Sequence, residues 1–144
     1  MRPSRLLVLV VLGTPIAAAS AQSPGPTAAF ASLRWLEGRW LGSGGRYPAF
    51  FEEYRVINDS TIEQREIADS TFTKVNGLGY IALRGGGIVK LNADQRQTAA
   101  IQVVGDTVAF ASPNGRSYRW IRTGADGWRA ELGSVSYLMK RIGR

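Results

Sequence analysis

Residues Ser117-Tyr118-Arg119-Trp120-Ile121-Arg122-Thr123, Gly124-Ala125-Asp126-Gly127, Trp128-Arg129-Ala130-Glu131-Leu132, Gly133-Ser134 and Val135 to Ile142 decide the fold. Trp128, Ala130 and Leu132 alternate with Arg129 and Glu131, and Val135, Tyr137 and Met139 alternate with Ser134 and Ser136. A period of two is that of a strand with one buried face. The separators are Gly/Asp/Ser turn chemistry. Links this short join antiparallel neighbours only, because a parallel pair needs a crossover of a dozen or more residues.

Upstream the same grammar repeats. Strand-like runs span Arg39 to Gly44, Ala49 to Ile57, Thr61 to Ala68, Phe72 to Val75, Leu78 to Arg84, Ile88 to Asn92, Thr98 to Val104 and Thr107 to Ser112. Asn58-Asp59-Ser60, Ala68-Asp69-Ser70, Asn76-Gly77, Gly85-Gly86-Gly87, Asn92-Ala93-Asp94, Gly105-Asp106 and Pro113-Asn114-Gly115 separate them. The expectation is an all-β chain of about ten strands in a meander. It closes into an up-and-down antiparallel β-barrel because closure removes both edges; a flattened sandwich is the alternative. Before the strands, Phe30, Leu33, Trp35 and Leu36 are spaced as in a short N-terminal helical turn, with Thr27 or Ser32 as cap and Gly38 as its end.

The chain opens with Arg2 and Arg5, an apolar run from Leu6 to Leu12, and Ala19-Ser20-Ala21. This is the pattern of a signal peptide over 1–21, cleaved near Ala21. Gly13 and Pro15 interrupt the run well short of the roughly 20 apolar residues of a membrane span. Residues 22–29 are Pro/Gly/Ser-rich and are expected to be a disordered tether, leaving 30–144 as one barrel domain. The expected location is periplasmic or secreted, and the excess of Arg over Lys points to a bacterial source. Without Arg2 and Arg5, 16 basic residues face 11 acidic ones, a net charge of +5. Arg116, Arg119, Arg122 and Arg129 interleave with Tyr118, Trp120 and Trp128. That suits a single-stranded nucleic acid, but in an exported chain it reads better as a half-buried strand, so no nucleic-acid partner is expected.

The chain has no histidine and no cysteine. Disulfides are therefore excluded, as are Ser-His-Asp and Cys-His sites and the usual zinc, copper and non-haem iron ligand sets. No cofactor is expected. Gly42-Ser43-Gly44-Gly45 and Gly77-Leu78-Gly79 lack the following helix that a phosphate cradle needs. Asn58-Asp59-Ser60 matches a glycosylation sequon but is first of all a turn. Glu52 and Glu53 are adjacent on a strand and so point to opposite faces, one inward. Glu63 and Arg65 share a face, either as a solvated ion pair or as a polar floor.

Trp35-Leu36-Glu37-Gly38-Arg39-Trp40-Leu41-Gly42, followed by Phe51-Glu52-Glu53-Tyr54, Phe110-Ala111-Ser112-Pro113 and Arg119, resembles a family of exported bacterial lipocalin-like (calycin-type) β-barrel domains. The resemblance runs from about Leu33 to Leu132. It departs where Asn114-Gly115-Arg116 replaces the family's usual His-Asp-Phe-Pro. Gly38 to Tyr54 is also similar to nitrobindin-like barrels, whose haem-binding histidine this chain lacks. The resemblance implies structural roles for Gly38 and Trp40: Trp40 closes one end of the barrel, and Arg141 or Lys140 lies across its ring.

The leading functional expectation is a binder of a small apolar or amphipathic molecule. Its candidate lining residues are Glu53, Tyr54, Arg65, Tyr80, Arg119 and Tyr137. The alternatives are a structural or interaction protein of the cell envelope with a filled barrel, and a lyase or isomerase in which Glu53 or Glu63 works with Arg119.

Overall fold

The computed structural model describes residues 24–143. The expected signal segment 1–21 and the start of the expected tether, 22–23, lie outside the described residues. Helix α1 (Pro26–Ala31) runs into a 3₁₀ turn, Ser32–Leu36. Ten strands follow: β1 (Gly38–Ser43), β2 (Phe50–Asn58), β3 (Thr61–Ile67), β4 (Val75–Arg84), β5 (Gly87–Asn92), β6 (Gln97–Val104), β7 (Thr107–Ala111), β8 (Ser117–Arg122), β9 (Gly127–Leu132) and β10 (Val135–Gly143). Each pairs antiparallel with its sequence neighbours, and β1 also pairs with β10, so the sheet is a closed barrel. The meander reading is thus observed.

Several local expectations are corrected. No strand forms over Phe72 to Lys74: Phe72 has a φ of 58°, outside the extended region, and β4 begins only at Val75. The helix begins at Pro26, inside the expected tether, since Pro is well suited to a first helical position. Neither Thr27 nor Ser32 caps it by its side chain; the Ser32 hydroxyl instead donates to the Ala29 carbonyl. Asn76-Gly77, read as a turn, lies within β4. Gly77 stands opposite Glu66, and a Cβ on Gly77 would come within 2.6 Å of the Glu66 carboxylate, so the glycine is there for a side chain that crosses it. The chain reverses instead around Asp69, whose carboxylate accepts from the Thr71 amide.

One end of the barrel is closed. Ala29, Phe30, Leu33 and Leu36 are buried against a core that includes Trp40, Ile62, Ile81, Val108 and Trp128. The Trp40 indole N–H donates to the Leu36 carbonyl at 2.7 Å. Arg141 fastens the same end as the resemblance implied. Its guanidinium lies 4.2 Å from the Trp40 ring centroid and donates to the backbone carbonyls of Glu37 and Trp35. Gly38 is required at this crossing: its φ is +131°, and a Cβ would strike the Arg141 guanidinium and sit 2.8 Å from the Gly143 carbonyl. Lys140, the other candidate, is exposed and pairs with Leu41 across the seam.

Residues directly paired across strands share a face. Trp40 pairs with Glu52, and Glu52 with Glu66; Tyr54 pairs with Gln64, and Ile81 with Lys90. Since Trp40, Tyr54 and Ile81 are core, that whole set faces inward.

Candidate functional site

The open end of the barrel is a cup of about 270 Å³. Its floor is the indole pair Trp120 and Trp128, with ring centroids 4.9 Å apart. Tyr54 abuts both rings edge-on beneath it. Tyr118 stacks on Phe110 at 4.3 Å on one wall, and Phe50 meets Tyr137 edge-on at 5.4 Å on the other. Leu132 and Met139 complete the apolar lining. Alternation along β8, β9 and β10 places these rings, because every second residue of a barrel strand points inward.

Against this apolar wall stand four polar side chains, Glu52, Gln64, Glu66 and Lys90. The Tyr54 hydroxyl donates to Glu52 Oε2 at 2.7 Å, and Gln64 Nε2 donates to Glu52 Oε1 at 3.3 Å. Burial holds the Glu52 carboxyl above its ordinary range despite those donors and the nearby Lys90. Burial first, then the Glu52 charge, pushes the Tyr54 phenol well above its usual value. Burial likewise lifts Tyr118 to about 12. The Lys90 ammonium is drawn the other way: burial lowers its pKa, and Glu52 and Glu66 oppose that shift. It lies 5.3 to 5.8 Å from the rings of Trp120, Tyr118 and Phe110. Among the described residues its ammonium has no hydrogen-bond partner within 3.5 Å and no ion-pair partner within 4 Å. Trp128, which lines the cup, carries a buried indole N–H that also lacks a partner among the described residues.

Of the six candidate lining residues, the structure turns two inward and four outward. Tyr54 and Tyr137 face the interior. Glu53, Arg65, Tyr80 and Arg119 stand on the outer face, and the cause is parity, since each neighbours an inward residue in the chain. Glu53 is buried on the outside under Arg39, Arg55 and Arg65, at 3.0, 2.9 and 3.7 Å. Arg65 also pairs with Glu63, as a same-face ion pair. Arg119 pairs with Glu131. Tyr80 packs on an outer apolar cluster of Ala82, Val89 and Leu91. Glu53 or Glu63 therefore does not converge with Arg119 inside the barrel, as the enzymatic alternative required.

The candidate lining residues did not include Gln64, Glu66, Lys90, Tyr118, Trp120 or Trp128, and of the pair Glu52 and Glu53, one of which was expected to face inward, it is Glu52 that does. For Glu52 and Trp128 a signal existed: Glu52 shares parity with Tyr54, and Trp128 with Tyr137 across β9 and β10. For Lys90 none did, because the apolar alternation of β5 favours Val89 and Leu91 as the inner pair.

Fold and site together define a closed ten-stranded antiparallel barrel, plugged at one end and open at the other into an aromatic cup with a polar flank. No protein-family model matches the chain, and no curated protein matches it. Among the described residues, no group of three or more side chains suited to a metal ion comes together, and no helix is long and apolar enough to cross a membrane.

Proposed function

We propose that this is an exported, lipocalin-like binding protein that holds a small, largely apolar molecule in the open end of its barrel. The observation that carries the reading is the cup: about 270 Å³ walled by five aromatic rings, with unused hydrogen-bond donors on Lys90 and Trp128. An apolar cavity of about 150 Å³ accepts a benzene ring, and drug-sized pockets begin near 300 Å³. The fitting guest is therefore one ring with a short arm that carries an oxygen acceptor. Closure at the other end by Trp40 and the N-terminal helix makes the cup a dead end, so a guest enters and leaves by the same mouth.

The test is a titration of intrinsic tryptophan fluorescence with cinnamyl alcohol, alongside native mass spectrometry. Trp120 and Trp128 form the floor, so a saturable change is expected, together with a 1:1 complex. Leu132→Trp, at a half-exposed position on the rim, should fill the mouth and weaken binding at least about tenfold, roughly 1.4 kcal/mol. No saturable change and no retained guest would overturn the reading in favour of an envelope protein with a filled barrel. The filled half beneath Trp128 supports that rival.

A further inference from the structure

We propose that Lys90 is a covalent docking point in this cup, taking up small aromatic or conjugated aldehydes as a protonated imine. The proposal rests on the binding reading above and names the chemistry of the guest. Lys90 reaches from β5 into the cavity, and its ammonium lacks a hydrogen-bond or ion-pair partner among the described residues. The groups that face it are Glu52 from β2, Glu66 from β3, Phe110 from β7, and Tyr118 and Trp120 from β8. On its flanking strands it pairs with Ile81 and Ala99, which carry no charge. A lysine set among rings and short of partners is the form in which an amine becomes a nucleophile toward carbonyls. Burial favours its neutral state.

The reaction needs nothing beyond the site and the aldehyde. The ammonium first gives one proton to solvent. The nitrogen lone pair then adds to the aldehyde carbon, the carbonyl π pair moves to oxygen, and transfer of one N–H proton to that oxygen gives a neutral carbinolamine. Glu52, whose carboxyl burial keeps protonated to higher pH, lines the same cavity. Its proton goes to the carbinolamine hydroxyl, which departs as water while the nitrogen pair forms the C=N bond. The products are an iminium ion and the Glu52 carboxylate, with no net oxidation or reduction. The positive charge stays at the Lys90 nitrogen, so the three rings and Glu66, which face the ammonium, also stabilise the adduct, and the Glu52 carboxylate joins them once its proton has left. An aldehyde conjugated to a ring would lay that ring on Trp120 and Trp128. Water reverses the sequence, so uptake is reversible.

Lys74 and Lys140, the only other lysines in the chain, are exposed and serve as internal controls. The wild-type protein is incubated with cinnamaldehyde and sodium cyanoborohydride, which reduces an iminium to a stable amine, and adducts are located by peptide mapping. Labelling of Lys90 is expected to exceed that of Lys74 and Lys140 at least about tenfold, the kind of excess that proximity in a bound complex gives. Cinnamyl alcohol, which lacks the carbonyl, should suppress labelling at Lys90 and leave Lys74 unaffected. If the alcohol binds saturably but the label spreads evenly over the three lysines, the imine proposal falls and the cup reading stands. Preferential Lys90 labelling that the alcohol does not suppress would also overturn the proposal, because the reaction would not be taking place in the cup. If the alcohol does not bind and Lys90 is not preferred, both readings fall.

Discussion

Replacing Arg141 by Met should cost more stability than any other single substitution of a charged residue in this chain. The Arg141 side chain is 13 % exposed, and its guanidinium donates to the carbonyls of Glu37 and Trp35 and lies over Trp40. A hydrogen bond from a charged donor contributes about 1.5–3 kcal/mol, and the low end applies because both acceptors sit where the 3₁₀ turn ends and water can replace the donor. The contact with the indole adds about 1 kcal/mol. The pairing with Asp126, whose side chain is 77 % exposed, adds nothing measurable. The loss comes to about 4 kcal/mol, against a total of roughly 6–18 kcal/mol for a domain of this size. At roughly 3–5 °C per kcal/mol, the midpoint of a thermal melt followed by circular dichroism should fall by about 12–20 °C. Arg141→Lys, which keeps a charge over the ring but cannot fork to two carbonyls, should fall between. A melt of Arg141→Met within about 4 °C of wild type would refute the view that this residue holds the closed end together.

Three further outcomes follow from the same contacts. Burial raises the folded-state pKa of Glu52 above its unfolded value, so its contribution falls as pH rises from about 4.5 toward the folded value and stays low above it. Glu52→Gln should therefore gain on wild type in urea melts at neutral pH and lose that gain near about pH 4. Glu53→Gln leaves Arg39, Arg55 and Arg65 facing one another without their carboxylate. Because those arginines are half-exposed, the cost should be about 1–3 kcal/mol by urea denaturation, and it should shrink in about 1 M salt. Gly38→Ala combines a positive φ with a collision against Arg141 and should cost at least about 2 kcal/mol, measured by thermal melting.

The barrel was legible because turn chemistry and period-two alternation recur from Arg39 to the end, and closure is the way a long meander disposes of its edges. The cup was legible only in part. Strand parity can be read from sequence but needs an anchor. Glu53 and Tyr54 are adjacent, so naming both as lining residues broke the period; Tyr54, which shares its face with Glu52, the partner of the inward Trp40, was the right anchor. Lys90 was hidden by a second apolar cluster. Val89 and Leu91 are buried on the outer face with Tyr80 and Ala82, so the alternation of β5 points the wrong way. Gly77 hid a strand, because in sequence a glycine that makes room for Glu66 looks the same as one that turns the chain.

The pairing of β1 with β10 joins residues about a hundred positions apart, since Arg141 reaches back to Glu37 across 104 residues. Every other strand pair is a hairpin that forms as its own turn folds, but this ladder waits for the full circuit to assemble. Ring closure is therefore the late, entropically slow event of folding. A molecule caught before it offers two unsatisfied backbone rows of matching register, and a second molecule in the same condition can supply the missing partner, giving exchanged dimers or longer chains of molecules at high concentration.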